Sequence, residues 1–153
     1  MKMLSYPYLT LILGLLWSFN SVAHTDEYLD SQPAPHGGQI RMAGTFHFEL
    51  VLGEKQLTVY VTDHASKSFA TEGATGNVMV LVGKTKTTVE LKPAGDNILK
   101  GEGEFTSAPA MKVVVSITLA GQEQQQARFT PLEKKDLPAV DQGSAAEHSQ
   151  HSK

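Results

Sequence analysis

Between residues 46 and 63 large apolar side chains recur at every second position, a period that no helix can use. Phe46, Phe48, Leu50 and Leu52 alternate with His47, Glu49 and Val51. Beyond Gly53-Glu54-Lys55-Gln56, Leu57, Val59 and Val61 alternate with Thr58, Tyr60 and Thr62. Successive side chains of a strand point to opposite faces, so this pattern marks half-buried strands. Further strand patterns follow at Val78 to Val82, Thr85 to Leu91, Ile98 to Phe105, Met111 to Leu119 and Gln124 to Thr130. Gly83-Lys84, Pro93-Ala94-Gly95-Asp96-Asn97 and Gly121 supply the turns between them. No stretch carries a helical stripe. About seven or eight short strands at this spacing predict an all-β chain, a single antiparallel β-sandwich of immunoglobulin-like type. The predicted domain covers residues 36–130.

The first two strands can be paired on paper. Matching Leu52 with Leu57 across Gly53 to Gln56 puts Phe46, Phe48 and Leu50 on one face with Leu57, Val59 and Val61, and that face is the core. His47 and Glu49 then share the other face with Tyr60, Thr62 and His64. His47 lies opposite Thr62, with His64 as its diagonal neighbour at roughly 7–8 Å.

The ends of the chain read differently. Lys2, the apolar run Leu9 to Trp17 and the small residues Ser21-Val22-Ala23 form the charge, core and cleavage site of a secretory signal peptide over residues 1–23. The run is about half of the roughly 20 residues a membrane span needs. No second long apolar run follows, so no membrane insertion is expected after cleavage. Cleavage after Ala23 would expose His24 as the N-terminus, where imidazole and α-amino group can chelate Cu(II). Residues 24–35 end in Pro33-Ala34-Pro35 and read as an extended arm. Residues 131–153 are polar, lack apolar periodicity and read as a disordered tail. The tail contains His148-x-x-His151, a pair able to hold metal only weakly because ordering opposes binding.

Charge and cysteine content narrow the function. Formal net charge is −3, and loss of Lys2 with the leader makes it one unit more negative. No Lys/Arg stripe exists to bind nucleic acid. Cysteine is absent, which removes disulfides, thiolate metal sites and Cys nucleophiles. An exported domain of this size without disulfides fits a bacterial periplasm. No Gly-x-Ser-x-Gly elbow or phosphate-binding glycine loop is present. Ser66, Ser68, Ser107 and Ser116 stand in no supporting motif, so the chain does not read as an enzyme.

Three of the six histidines, His36, His47 and His64, can converge. His36 stands in Pro35-His36-Gly37-Gly38, where the glycines permit a sharp turn toward the same sheet edge. With Glu49 as an acidic partner, these imidazoles suit Zn(II), Cu(II), Co(II) or Ni(II). Met42 is close in sequence, and a thioether favours Cu(I). Met79 and Met111 read as core packing. The competing reading is a wet sheet face on which His47, Glu49 and His64 are ordinary polar residues.

An ordered set of motifs carries a resemblance. It consists of Ala34-Pro35-His36-Gly37-Gly38, Gly44, Phe46-His47-Phe48-Glu49-Leu50-Val51, Val59-Tyr60-Val61-Thr62-Asp63, Gly73-Ala74-Thr75-Gly76, Pro93 to Gly101 and Ala108-Pro109-Ala110-Met111-Lys112. Over residues 34–130 the chain resembles small periplasmic proteins encoded with bacterial heavy-metal efflux systems. It is also similar to a β-domain of the periplasmic adaptor subunits of resistance-nodulation-division metal exporters. The resemblance implies a periplasmic partner of divalent-metal or copper efflux, with His36 matching the Pro-His-Gly-Gly motif. His47 falls where the adaptor pattern requires no histidine. Pro109-Ala110-Met111 stands where that pattern has a Pro-His pair, so a metal site does not carry over directly. The helical hairpin and lipoyl-like segments of an adaptor are missing.

Two functions follow as expectations. The first is a periplasmic transition-metal-binding accessory protein, for copper or zinc above all, that supports heavy-metal efflux or tolerance. The second is an interaction module that binds no metal and docks on an efflux adaptor or other envelope protein through an exposed strand edge. A hydrolase ranks last.

Overall fold

The computed structural model describes residues 26–133. The expected signal peptide, His24 and the tail from residue 134, with His148 and His151, lie outside the described residues. Within them run α1 (Asp26–Ser31), β1 (Gln39–Ala43), β2 (Phe46–Leu52), β3 (Gln56–Asp63), β4 (Thr75–Val82), β5 (Thr85–Gly95), β6 (Ile98–Glu102), β7 (Lys112–Thr118) and β8 (Gln124–Phe129). The fold is all-β and antiparallel: the eight strands form one sheet in the order β1-β2-β3-β6-β5-β4-β7-β8. No helix among the described residues is long and apolar enough to cross a membrane.

The first hairpin forms in the register that the alternation dictates. Leu52 pairs with Leu57, Leu50 with Val59 and Phe48 with Val61. All but the half-buried Leu52 are fully enclosed. The inward positions of β4, β7 and β8, among them Val78, Val80, Val113, Val115, Ile117 and Phe129, complete the same core. Met111 joins it, whereas Met79 is half-buried and stands outside the core cluster. Met79 alternates with the buried Val78 and Val80, so the pleat turns it to the outer face.

The expected sandwich requires two separate sheets, but here the sheet is continuous. Residues Thr85 to Val89 and on to Leu91 of β5 pair with β4, while Lys92, Pro93 and Gly95 pair with β6. One strand therefore carries the ladder from one half to the other, with a register shift between Pro93 and Gly95. Proline has no amide proton to give, so it settles where the ladder is already interrupted. The Pro93–Asn97 cluster is accordingly not all turn, because β5 runs to Gly95 before the chain reverses at Asp96-Asn97.

The sheet curls until β1 approaches β8. The backbone N–H of Thr130 donates to Gln39 Oε1 at 2.9 Å. Gln39 and Arg41 take inward positions on β1 and are each 6% exposed. Such groups are stable there only when paired. Arg41 meets that condition through Nη1 and Nη2, which donate to Asp30 Oδ1 and Oδ2 at 2.9 and 3.0 Å. Asp30 belongs to α1, which also buries Leu29. The extended arm expected over residues 24–35 thus contains a helix. Six residues are too few to show a helical period, and what holds them is the tertiary contact with Arg41 and the burial of Leu29.

Candidate functional site

The outer face of β1, β2 and β3 carries the residues singled out by their chemistry. Register assembles them in rows. Ile40, Glu49 and Tyr60 lie side by side, with Ile98 of β6 beyond. The next row is Met42, His47 and Thr62. Two arrangements of histidine arise from these rows, and they differ in kind.

The first is built on Glu49. Ala34 to Gly37 form a turn closed by a 3.0 Å hydrogen bond from Gly37 N–H to the Ala34 carbonyl. Pro35 presets the turn, and Gly37 has φ of 75°, the left-handed region glycine enters without a Cβ penalty. Gly38 then presses so close to β2 that a Cβ there would collide with the Leu50 carbonyl. This approach brings the amides of His36 and Gly38 to Glu49 Oε1 at 2.8 and 3.0 Å. His36 Nδ1 lies 2.7 Å from Glu49 Oε2, and its ring stacks on Tyr60 with centroids 3.5 Å apart and planes 2° from parallel. An ionised carboxylate can only accept, so Nδ1 carries the proton and donates.

Glu49 is thus a clasp for the Pro-His-Gly-Gly loop. Its side chain is 6% exposed, and three donors converge on its two oxygens. Charge-assisted bonds of this type are the stronger class. Tyr60 completes the clasp; the register that placed His47 opposite Thr62 also puts Tyr60 opposite Glu49, the signal by which this partner could have been found.

The second arrangement is the pair of His47 and His64. Their rings stack with centroids 5.0 Å apart and planes 9° from parallel. His47 is half-buried on β2, with Nε2 enclosed. His64 is exposed in the loop after β3. That loop is held by Asp63, whose Oδ1 accepts from the amides of Ala65 and Lys67 at 2.8 and 2.9 Å. Aspartate readily forms such local turns. Met42 is the direct cross-strand partner of His47 on β1.

Of the expected site residues, His36 joins Glu49, and His47 joins His64 with Met42 across from it. The structure does not merge the two groups: no cluster of three His, Cys, Asp or Glu able to hold a metal occurs among the described residues. Two ring nitrogens on one metal sit at bonds of about 2.0–2.1 Å each, so the stacked His47 and His64 rings would have to turn about their side-chain bonds to converge on an ion. Glu49, with its oxygens already engaged, serves to position His36. Orientation of imidazole by carboxylate is a common device behind metal ligands, and here it directs the Nε2 edge of the half-exposed His36 ring away from Glu49.

No protein-family model, curated protein or solved structure matches this chain.

Proposed function

We propose that this protein is an exported, periplasmic binding module for a transition-metal ion and that it supports heavy-metal efflux or tolerance rather than catalysing a reaction. The observation that carries the reading is the His47–His64 stack at 5.0 Å on the outer face of the first hairpin. Two imidazoles this close, one anchored in a strand and one in a braced loop, form a chelating pair at little ordering cost. The leader-like residues 1–23 and the lack of cysteine support an envelope location. The resemblance of residues 34–130 to proteins of heavy-metal efflux supports the biological setting. His47 and His64 are the proposed ligands, and His36 is held on the neighbouring row by Glu49.

A second reading is favoured by the lack of a trio of nitrogen or oxygen ligands among the described residues. On it the domain docks on an efflux adaptor or other envelope protein and binds no metal. Thermal unfolding of the mature protein with Cu(II), Zn(II), Co(II), Ni(II) and, under reducing conditions, Cu(I) separates the two. A ligand selective for the native state raises its stability. The metal-binding reading predicts a rise with at least one ion that survives His36→Ala and disappears in His47→Ala/His64→Ala. Absence of a rise with every ion would leave docking as the function.

A further inference from the structure

The donor set says which class of ion fits. Resting on the metal-binding reading above, we infer that the ion is soft, monovalent and low-coordinate, of the Cu(I) or Ag(I) type, and that Met42 is its third ligand beside His47 and His64. Zinc sites are almost always four-coordinate, with nitrogen, sulfur thiolate or carboxylate donors. Around His47 and His64 no third His, Asp or Glu completes such a set among the described residues. Glu49, the nearest carboxylate along β2, already accepts from the amides of His36 and Gly38 and from the His36 ring. Recruiting it to a metal would release the Pro-His-Gly-Gly loop.

Met42 has the placement that Glu49 lacks. It is the cross-strand partner of His47. Its neighbours Arg41 and Ala43 are buried, as is Gln39, so the pleat turns Met42 outward, to the face that carries His47. Met42 is half-buried and is absent from the core cluster, so core packing does not account for it. Directly opposed residues have Cβ atoms about 4.5–5.5 Å apart. The unbranched side chain of methionine has three rotatable bonds with which to bring its sulfur over the imidazole. A thioether is a soft donor and suits the soft, monovalent Cu(I). In a chain without cysteine, a methionine is the soft donor available. Two imidazoles and one thioether make a three-coordinate shell that a soft monovalent ion accepts as it stands, whereas Zn(II) would need a fourth donor.

The test compares affinities across variants of the mature protein in which His24, His148 and His151 are replaced by Ala, so that metal at the termini does not contribute. Cu(I) is titrated anaerobically against a chromophoric chelator, and Ag(I) and Zn(II) are titrated in parallel. Met42→Leu preserves volume and is expected to weaken Cu(I) and Ag(I) by at least the roughly 10–100-fold that loss of even an outer-shell partner costs, leaving any Zn(II) binding unchanged. His64→Ala is expected to weaken every ion that binds. Unchanged Cu(I) affinity in Met42→Leu, with loss in His64→Ala, overturns the role of Met42 while metal binding stands. Zn(II) binding tighter than Cu(I) overturns the soft-ion assignment. Failure of every ion to bind overturns both this inference and the reading on which it rests.

Discussion

Two neighbouring rows of one sheet face use histidine in opposite ways. In the row of Glu49 and Tyr60, the His36 ring is stacked at 3.5 Å and tied to a carboxylate at 2.7 Å. In the row of Met42, His47 stacks on His64 at 5.0 Å, and among the described residues no carboxylate joins them in a metal-sized cluster. The first row spends its polar groups on holding a loop. The second stacks two imidazoles, with Met42 across the strand from His47. The same residue type therefore fastens a loop in one place and stacks on a second imidazole in the next, and the difference lies in what stands across the strand.

The comparison can be broken most forcefully at Glu49. Glu49→Ala removes the acceptor of two backbone amides and of the His36 ring. The three bonds are part-buried, so at about 1 kcal/mol each a total loss of about 2–4 kcal/mol is expected in chemical denaturation, with Glu49→Gln intermediate. The next effect concerns the other row. At an ion concentration of about 100 times Kd, binding adds about 2.7 kcal/mol. Melting curves with and without ion would reveal it as a gap that closes in the His47→Ala/His64→Ala variant.

Smaller changes sharpen the contrast. His36→Phe keeps a ring on Tyr60 but removes the Nδ1 donor. With the His36 side chain 42% exposed, solvent screening limits the cost to about 1 kcal/mol. In metal-free protein His64→Ala should change stability by no more than about 0.5 kcal/mol, because the ring is exposed and the Asp63 turn remains. A loss several times larger would show that the His47–His64 stack is a structural element like its neighbour.

What the sequence discloses of this arrangement follows from which interactions are periodic. The β2–β3 register was legible because one face is uniformly apolar, and a slip of one residue would expose Phe48 and Leu50. That register alone placed His47 opposite Thr62, and the structure stacks His64 on it. β1 was not legible as a strand, because two of its three inward positions are Gln39 and Arg41, stabilised by Thr130 and Asp30 from other parts of the chain. Helix α1 is hidden for the same reason. The continuity of the sheet depends on β5 dividing its pairing between β4 and β6, which leaves no trace in composition. Glu49 reads as a metal ligand in sequence; only the docking of amides from 11 and 13 residues away turns it into a clasp.

The most direct test of the division between the two rows is nitrogen-15 NMR of the histidine side chains, recorded while diamagnetic Ag(I) or Zn(II) is added to the variant that lacks His24, His148 and His151. The account predicts that the ring nitrogens of His47 and His64 shift together and saturate at one equivalent per chain, while those of His36 stay in place. Movement of His36 with the other two rings still would contradict it, as would the absence of movement at all three.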